Sequence, residues 1–192
     1  MKIKNIDTTN ISDNDIFSLL KIILNEGLTL MGYSNFQTWQ SYQPTRQGLP
    51  DDPSTIIFVQ KIPGDHAYGM PSKKDTWDED EEKMFHTETQ KYQSTFQISG
   101  LQIQDPEDIS FTASDLVNSA KLLLYSDRTI YSLYENGLGI LKPSDVQNIP
   151  FIDDKDRNEF NPVFTFDLTY NRTFKYEIPV ISGIQQQGVY GF

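Results

Sequence analysis

Few residues in this chain have the type and spacing that chemistry demands. There are two histidines, His66 and His86, and neither stands in an H-x-x-x-H or H-E-x-x-H pattern that would hold a metal or position a general base. Cysteine is absent, which removes thiolate nucleophiles, disulfides and Cys-based zinc sites. No serine sits in a G-x-S-x-G elbow. Gly137-Leu138-Gly139 opens like a dinucleotide fingerprint, but the third glycine is missing and a helical pattern, not a strand, precedes it.

The densest set of functional groups is acidic: Asp75, Asp78, Glu79, Asp80, Glu81 and Glu82 surround Trp77. Hard cations take several carboxylate oxygens, but contiguous acids cannot all point at one ion, and the EF-hand glycine and terminal glutamate are not in place. A solvated charge block facing a basic partner, or repelling DNA, fits better. No catalytic, cofactor-binding or metal-ligating residue is assigned, and no cofactor is expected.

The bulk composition agrees. With 192 residues the chain suits one domain, and 27 Asp plus Glu against 16 Lys plus Arg give a net charge of −11, which works against a general grip on phosphates. Only 37% of residues are apolar, yet 12% are aromatic, more than a disordered chain carries. The pattern predicts a folded chain with a thin core. Residues 1–10 lack the apolar run of a secretory signal, and no stretch approaches the roughly 20 apolar residues of a membrane span, so no membrane partner is expected.

Helical spacing of Ile16, Leu19, Leu20, Ile23, Leu24 and Leu28 behind a Ser12 cap predicts a helix over 11–31, weakened at Gly27 and ended at Gly32. Strands are expected at 36–43 and 55–62. Ile56, Ile57, Phe58 and Val59 do not alternate, so the second strand belongs inside a sheet. A breaker-rich link through Pro44, Gly48, Pro50 and Pro53 joins them. Residues 63–83 show no periodicity and read as a long exposed acidic loop. A strand follows at about 85–101, then a helix at 113–125 capped by Thr112 with Asp115, a short helix stopped by Asn136-Gly137, and a strand over 138–149 broken near Pro143.

The clearest pattern lies late in the chain. Phe160, Phe164, Phe166, Leu168, Tyr170, Phe174, Tyr176, Ile178 and Val180 all fall on even positions, with mostly polar residues between. From Pro162 to Pro179 a straight strand would span roughly 50 Å. A globule of this length has a radius of gyration of about 16 Å. The strand must therefore bend, turn back near Asn171, or project, and a projecting amphipathic strand needs a neighbour to cover it. Trp77, Phe85, Phe174 and Tyr176 are the expected contacts with other subunits or partners. A C-terminal arm, 181–192, adds Tyr190 and Phe192.

Four blocks in order resemble the small neck and tail-terminator proteins of tailed bacteriophages. They are the first helix, Gln93-Ser94-Thr95-Phe96-Gln97-Ile98-Ser99-Gly100, the helix with its Gly137-Leu138-Gly139-Ile140 turn, and Glu159-Phe160 with Phe164-Thr165-Phe166-Asp167-Leu168-Thr169-Tyr170. The resemblance runs from about Ile11 to Val180. It implies a non-enzymatic virion protein, assembled in the host cytoplasm into a ring, commonly of six copies, that joins a head-side connector or adaptor to the tail-tube protein. DNA would cross the lumen without specific binding. From their charge, Asp78, Glu79, Asp80, Glu81 and Glu82 are expected at the lumen or at a ring surface, where like charge lets DNA slide without sticking.

The expected fold is α+β. It is a single domain over 1–180 with a mixed, largely antiparallel sheet of four or five strands, two main helices on one face, and projecting strand or loop arms. Two rival functions are a metal-dependent phage enzyme using the acidic loop and a small-ligand module whose aromatics line a pocket. Metal calorimetry and size in solution discriminate them.

Overall fold

The computed structural model describes residues 10–41, 55–101, 111–152 and 158–179. The helix α1 spans Asp13–Leu30, α2 Ala113–Leu124 and α3 Asp127–Glu135. Both long helices begin at reciprocal caps: Ser12 and Asp15 bond each other's backbone amides, as do Thr112 and Asp115. Such a cap stabilises a helix by about 0.5–2 kcal/mol. Gly32 follows the end of α1 at φ +93°, and Gly137 follows α3 at φ +75°, conformations that a β-carbon disfavours. Gly27 has a packing role as well. A β-carbon there would lie 2.3 Å from Leu123 Cδ2, so its absence lets α1 and α2 approach.

The strands are β1 (Phe36–Gln40), β2 (Thr55–Asp78), β3 (Lys83–Leu101), β4 (Leu138–Ile140), β5 (Gln147–Ile152) and β6 (Asn158–Ile178). They form one α+β sheet in the order β1-β2-β3-β6-β4, with β5 also pairing β6; β1–β2 is parallel and every other pair antiparallel. Six strands replace the expected four or five, because the break at Pro143 yields two short strands that share β6.

The inward face of β2 places Ile57 and Val59 beside Phe96 and Ile98 of β3 and Phe164, Phe166, Leu168 and Tyr170 of β6. These form one cluster with Ile16, Leu20, Leu24 and Leu28 of α1 and Leu116, Val117, Ala120 and Leu124 of α2. Phe96 stacks on Phe166 at 5.8 Å and meets Phe17 edge-on at 5.7 Å. Burying each such side chain stabilises the fold by about 1.5–3 kcal/mol.

Residues 63–83 are not a loop. Residues 63–78 continue β2, and only 79–82 form the turn into β3. Two bulges, between Lys61 and Asp65 and between Tyr68 and Ser72, accommodate Pro63, Gly64, Gly69 and Pro71 and shift the side-chain alternation. That erases the periodicity a strand would show. The first strand is also shorter than expected, ending at Gln40. The link through Pro44, Gly48, Pro50 and Pro53, and the arm 181–192 with Tyr190 and Phe192, lie outside the described residues.

Asn171 pairs with Lys91 inside an unbroken ladder that runs from Ser99–Val163 to Met84–Ile178. The late strand therefore neither turns back nor breaks. The core cluster stops at Tyr92 and Tyr170. Beyond it β2, β3 and β6 rise as a three-stranded arm, and the eight residues Asn171–Ile178 carry it about 27 Å further.

Candidate assembly interface

At the base of the arm, one carboxylate gathers three strands. Asp65, placed by the first bulge of β2, accepts bonds from Lys61 Nζ at 2.8 Å, Ser94 Oγ at 2.6 Å, and Tyr170 Oη and Arg172 at 3.3 Å each. Lys61 also reaches Asp13 at the start of α1, at 2.8 Å. Burial works to raise the Asp65 pKa, but the bonds from Lys61 and Ser94 and the charges of Lys61 and Arg172 outweigh it and hold the group below its ordinary value. The Arg172 guanidinium lies 4.8 Å from the centre of the Tyr92 ring. The knot ties the arm to both the sheet and α1. Sequence reading missed it, since Asp65 fell in the supposed loop.

Above the knot the two faces differ. The face continuous with the core carries rungs Lys73–Glu88–Phe174, Asp75–His86–Tyr176 and Trp77–Met84–Ile178. Trp77 is 48% exposed and Phe174 37%, while Tyr176, Met84 and Ile178 are half-buried. His86 is bonded on both ring nitrogens, Nδ1 to Asp75 at 2.5 Å and Nε2 to Glu88 at 3.1 Å. Both nitrogens donate only in the imidazolium, so the Asp75 bond foremost, helped by Glu88, raises the pKa of His86 above 6.5. His86 is thus a clasp between β2 and β3. His66, opposite Gln93, is exposed.

Phe85 lies on the other face. It is only 8% exposed and sits under Lys175, whose ammonium is 4.3 Å from the ring centre, so this expected partner contact is covered within its own chain. Of the acidic set, Asp78 accepts the amides of Asp80 and Glu81 at 3.1 and 3.2 Å and so shapes the turn, and Glu81 lies 3.4 Å from Lys83. Glu79, Asp80 and Glu82 are exposed at the tip. The structure thus brings Trp77, Phe174 and Tyr176 onto one face, with the carboxylates at its end.

A family model described as E217 gateway protein gp29 matches residues 15–180, which takes in α1 from its third residue, α2, α3 and all six strands, the arm included. The chain belongs to this gateway family. It is a phage portal- or gateway-type protein, in line with the phage-neck resemblance, and a structural component of the virion. No curated protein matches the chain.

Two other features bear on the rival functions. Among the described residues, no three His, Asp or Glu side chains converge as a metal site. A groove of about 540 Å³ between α1 and β1 carries the aromatics Tyr33, Phe36 and Trp39. Several of its polar groups are already partnered: Tyr33 with Ser119 at 2.7 Å, Trp39 with Gln37 and Thr38 with Asn25 at 2.8 Å. Among the described residues no helix is long and apolar enough to cross a membrane.

Proposed function

We propose that this gateway protein is a non-enzymatic building block of the phage neck, whose copies form a ring around the path of the DNA. The observation that carries the reading is the arm. It extends the core face of the sheet about 27 Å beyond the cluster that covers it, with Trp77, Phe174, Tyr176 and Ile178 left partly open. A neighbouring copy supplies that cover, and family membership gives the setting.

In this reading one ring face receives the head-side connector or adaptor and the other meets the tail-tube protein, in a ring of about six, the number the neck-protein resemblance implies. Glu79, Asp80 and Glu82 face the passage, where like charge keeps the DNA moving without adhesion. Assembly takes place in the host cytoplasm. Electron microscopy of particles labelled through this protein tests the proposal. A ring at the junction of head and tail is the expected image; label scattered over the shell, or at the distal end of the tail, overturns it. Joint replacement Glu79→Gln, Asp80→Asn and Glu82→Gln tests the lining. Slower DNA release is expected, and unaltered release removes the acids from the passage.

A further inference from the structure

The three-stranded arm has two edges, and their hydrogen-bonding groups match each other. Thr173 donates its amide to Asn10 Oδ1, and the carbonyls of Asp167 and Thr165 accept from Leu141 and Ser144, so odd-numbered residues of β6 point their backbone groups away from β3. In an unbroken ladder this carries on to Lys175 and Glu177. Even-numbered β3 residues then bond β6, odd-numbered ones bond β2 at Ser72, Lys74 and Thr76, and Lys73, Asp75 and Trp77 of β2 point outward. The carbonyl of Val59, on the same outward phase, accepts from Ser41, which agrees. Among the described residues, no backbone partner meets either edge at 73–77 or 175–177.

Both open stretches lie at one level, since Ser72–Asp78 and Thr173–Ile178 flank the same residues of β3. Lower down, β2 is blunted by two bulges and by Pro63 and Pro71, the devices that keep an edge from pairing. The upper stretch has neither bulge nor proline. It is the part of the edge left fit to pair.

We propose that the arms of successive copies join edge to edge, β2 residues 73–77 of one copy lying parallel to β6 residues 174–178 of the next. β2 and β6 run the same way, so rotation about a ring axis makes the seam parallel. With Asp75 level with Tyr176 of the next copy, the phases mesh. The Asp75 amide and carbonyl meet the carbonyl of Lys175 and the amide of Glu177, Lys73 offers its carbonyl to the amide of Lys175, and Trp77 gives its amide to the carbonyl of Glu177. Every outward group of Lys175 and Glu177 is then used, and only the Lys73 amide and the Trp77 carbonyl, at the two ends of the seam, are left over, the latter opposite Pro179. The same alignment sets Trp77 against Ile178 of the next copy, so the row Trp77–Met84–Ile178 continues around the ring as an apolar band. Lys74 falls beside Lys175, whose ammonium is turned onto its own Phe85, and diagonal to Glu177. One edge of each copy fits the other edge of the next, the head-to-tail arrangement that closes rings.

This inference rests on the ring reading, and its test separates the two. The chain has no cysteine, so an introduced pair reports without background. Lys74→Cys with Lys175→Cys, and Thr76→Cys with Glu177→Cys, place thiols on neighbouring strands of the seam, where α-carbon spacing of about 5 Å permits a disulfide. Particles carrying each double variant are oxidised mildly and run without reductant. A ladder of covalent species up to the full ring, absent from every single variant, is the expected result. A ring visible by electron microscopy in the same particles without a ladder from either pair overturns the seam and leaves the ring standing, as when residues 1–9 or another protein takes the β6 edge. Absence of any ring overturns both.

Discussion

The lower and upper halves of β6 carry the same alternation and meet different surroundings. Phe164, Phe166, Leu168 and Tyr170 are no more than 2% exposed, while Phe174, on the same face eight residues beyond Phe166, is 37% exposed. Below, side chains of α1 and α2 complete the cluster; above, the described chain supplies only the rungs of the arm itself. An alternating pattern reports that a face is to be covered and says nothing of whether the cover is the same chain. In the arm, on the reading proposed above, a neighbouring copy supplies the cover.

Substitution of aromatic residues breaks this comparison most strongly. Phe166→Ala removes a buried ring and should cost about 3–5 kcal/mol, read as a large drop in melting temperature of the isolated chain. Phe174→Ala should change the stability of the isolated chain by about 1 kcal/mol or less and act instead on ring formation in particles. Equal losses in the isolated chain would mean that the arm is covered internally.

Next comes the approach of α2 to the sheet. A β-carbon at Gly100 would lie 2.7 Å from Val117 Cγ2 and 3.3 Å from the Ala113 carbonyl, so Gly100→Ala should destabilise the body by about 1–3 kcal/mol in denaturant unfolding. A neutral result would show that Val117 moves aside freely.

The knot at the boundary gives a comparable or smaller effect with a pH signature. Asp65→Asn weakens the bonds from Lys61 and Arg172 and should cost about 1–3 kcal/mol at neutral pH. The Asp65 pKa is lowered by folding, so its contribution is present above 3.8 and is lost as pH falls through the folded value. Urea unfolding at neutral and acid pH should show the variant and the parent converging in acid.

The smallest effect sits in the arm. Folding raises the His86 pKa, so the clasp is fully present below 6.5 and is lost as pH rises through the raised value. A proton NMR titration should place the His86 transition above 6.5, and Asp75→Asn should move it down. No movement would remove Asp75 as its main partner.

Much of the body was legible from sequence because its signals are local. Ser12 with Asp15 and Thr112 with Asp115 announced the helix starts, and the even positions of 160–180 announced β6. Ile56 and Ile57, buried on opposite faces, announced a strand with neighbours on both sides, found between β1 and β3. The arm was legible only by halves. Trp77, Phe174 and Tyr176, named from sequence as partner contacts, lie on one face of the arm, but 63–78 looked like a loop because bulges and exposed polar residues hide a strand whose partner gives it regularity. Phe85, named from sequence as a partner contact, lies under Lys175 of its own chain, a cover that no sequence spacing reports. The Asp65 knot depends on residues as far apart as Asp13 and Arg172, and no sequence spacing reports it.

Amide hydrogen exchange, followed in the isolated chain and again in assembled particles, tests most directly whether the arm is completed by its neighbours. The amides of Lys175 and Glu177 should exchange fast in the isolated chain and slowly in particles, while those of Phe96 and Phe166 stay protected in both. Equal exchange of Lys175 and Glu177 in the two states would contradict the account.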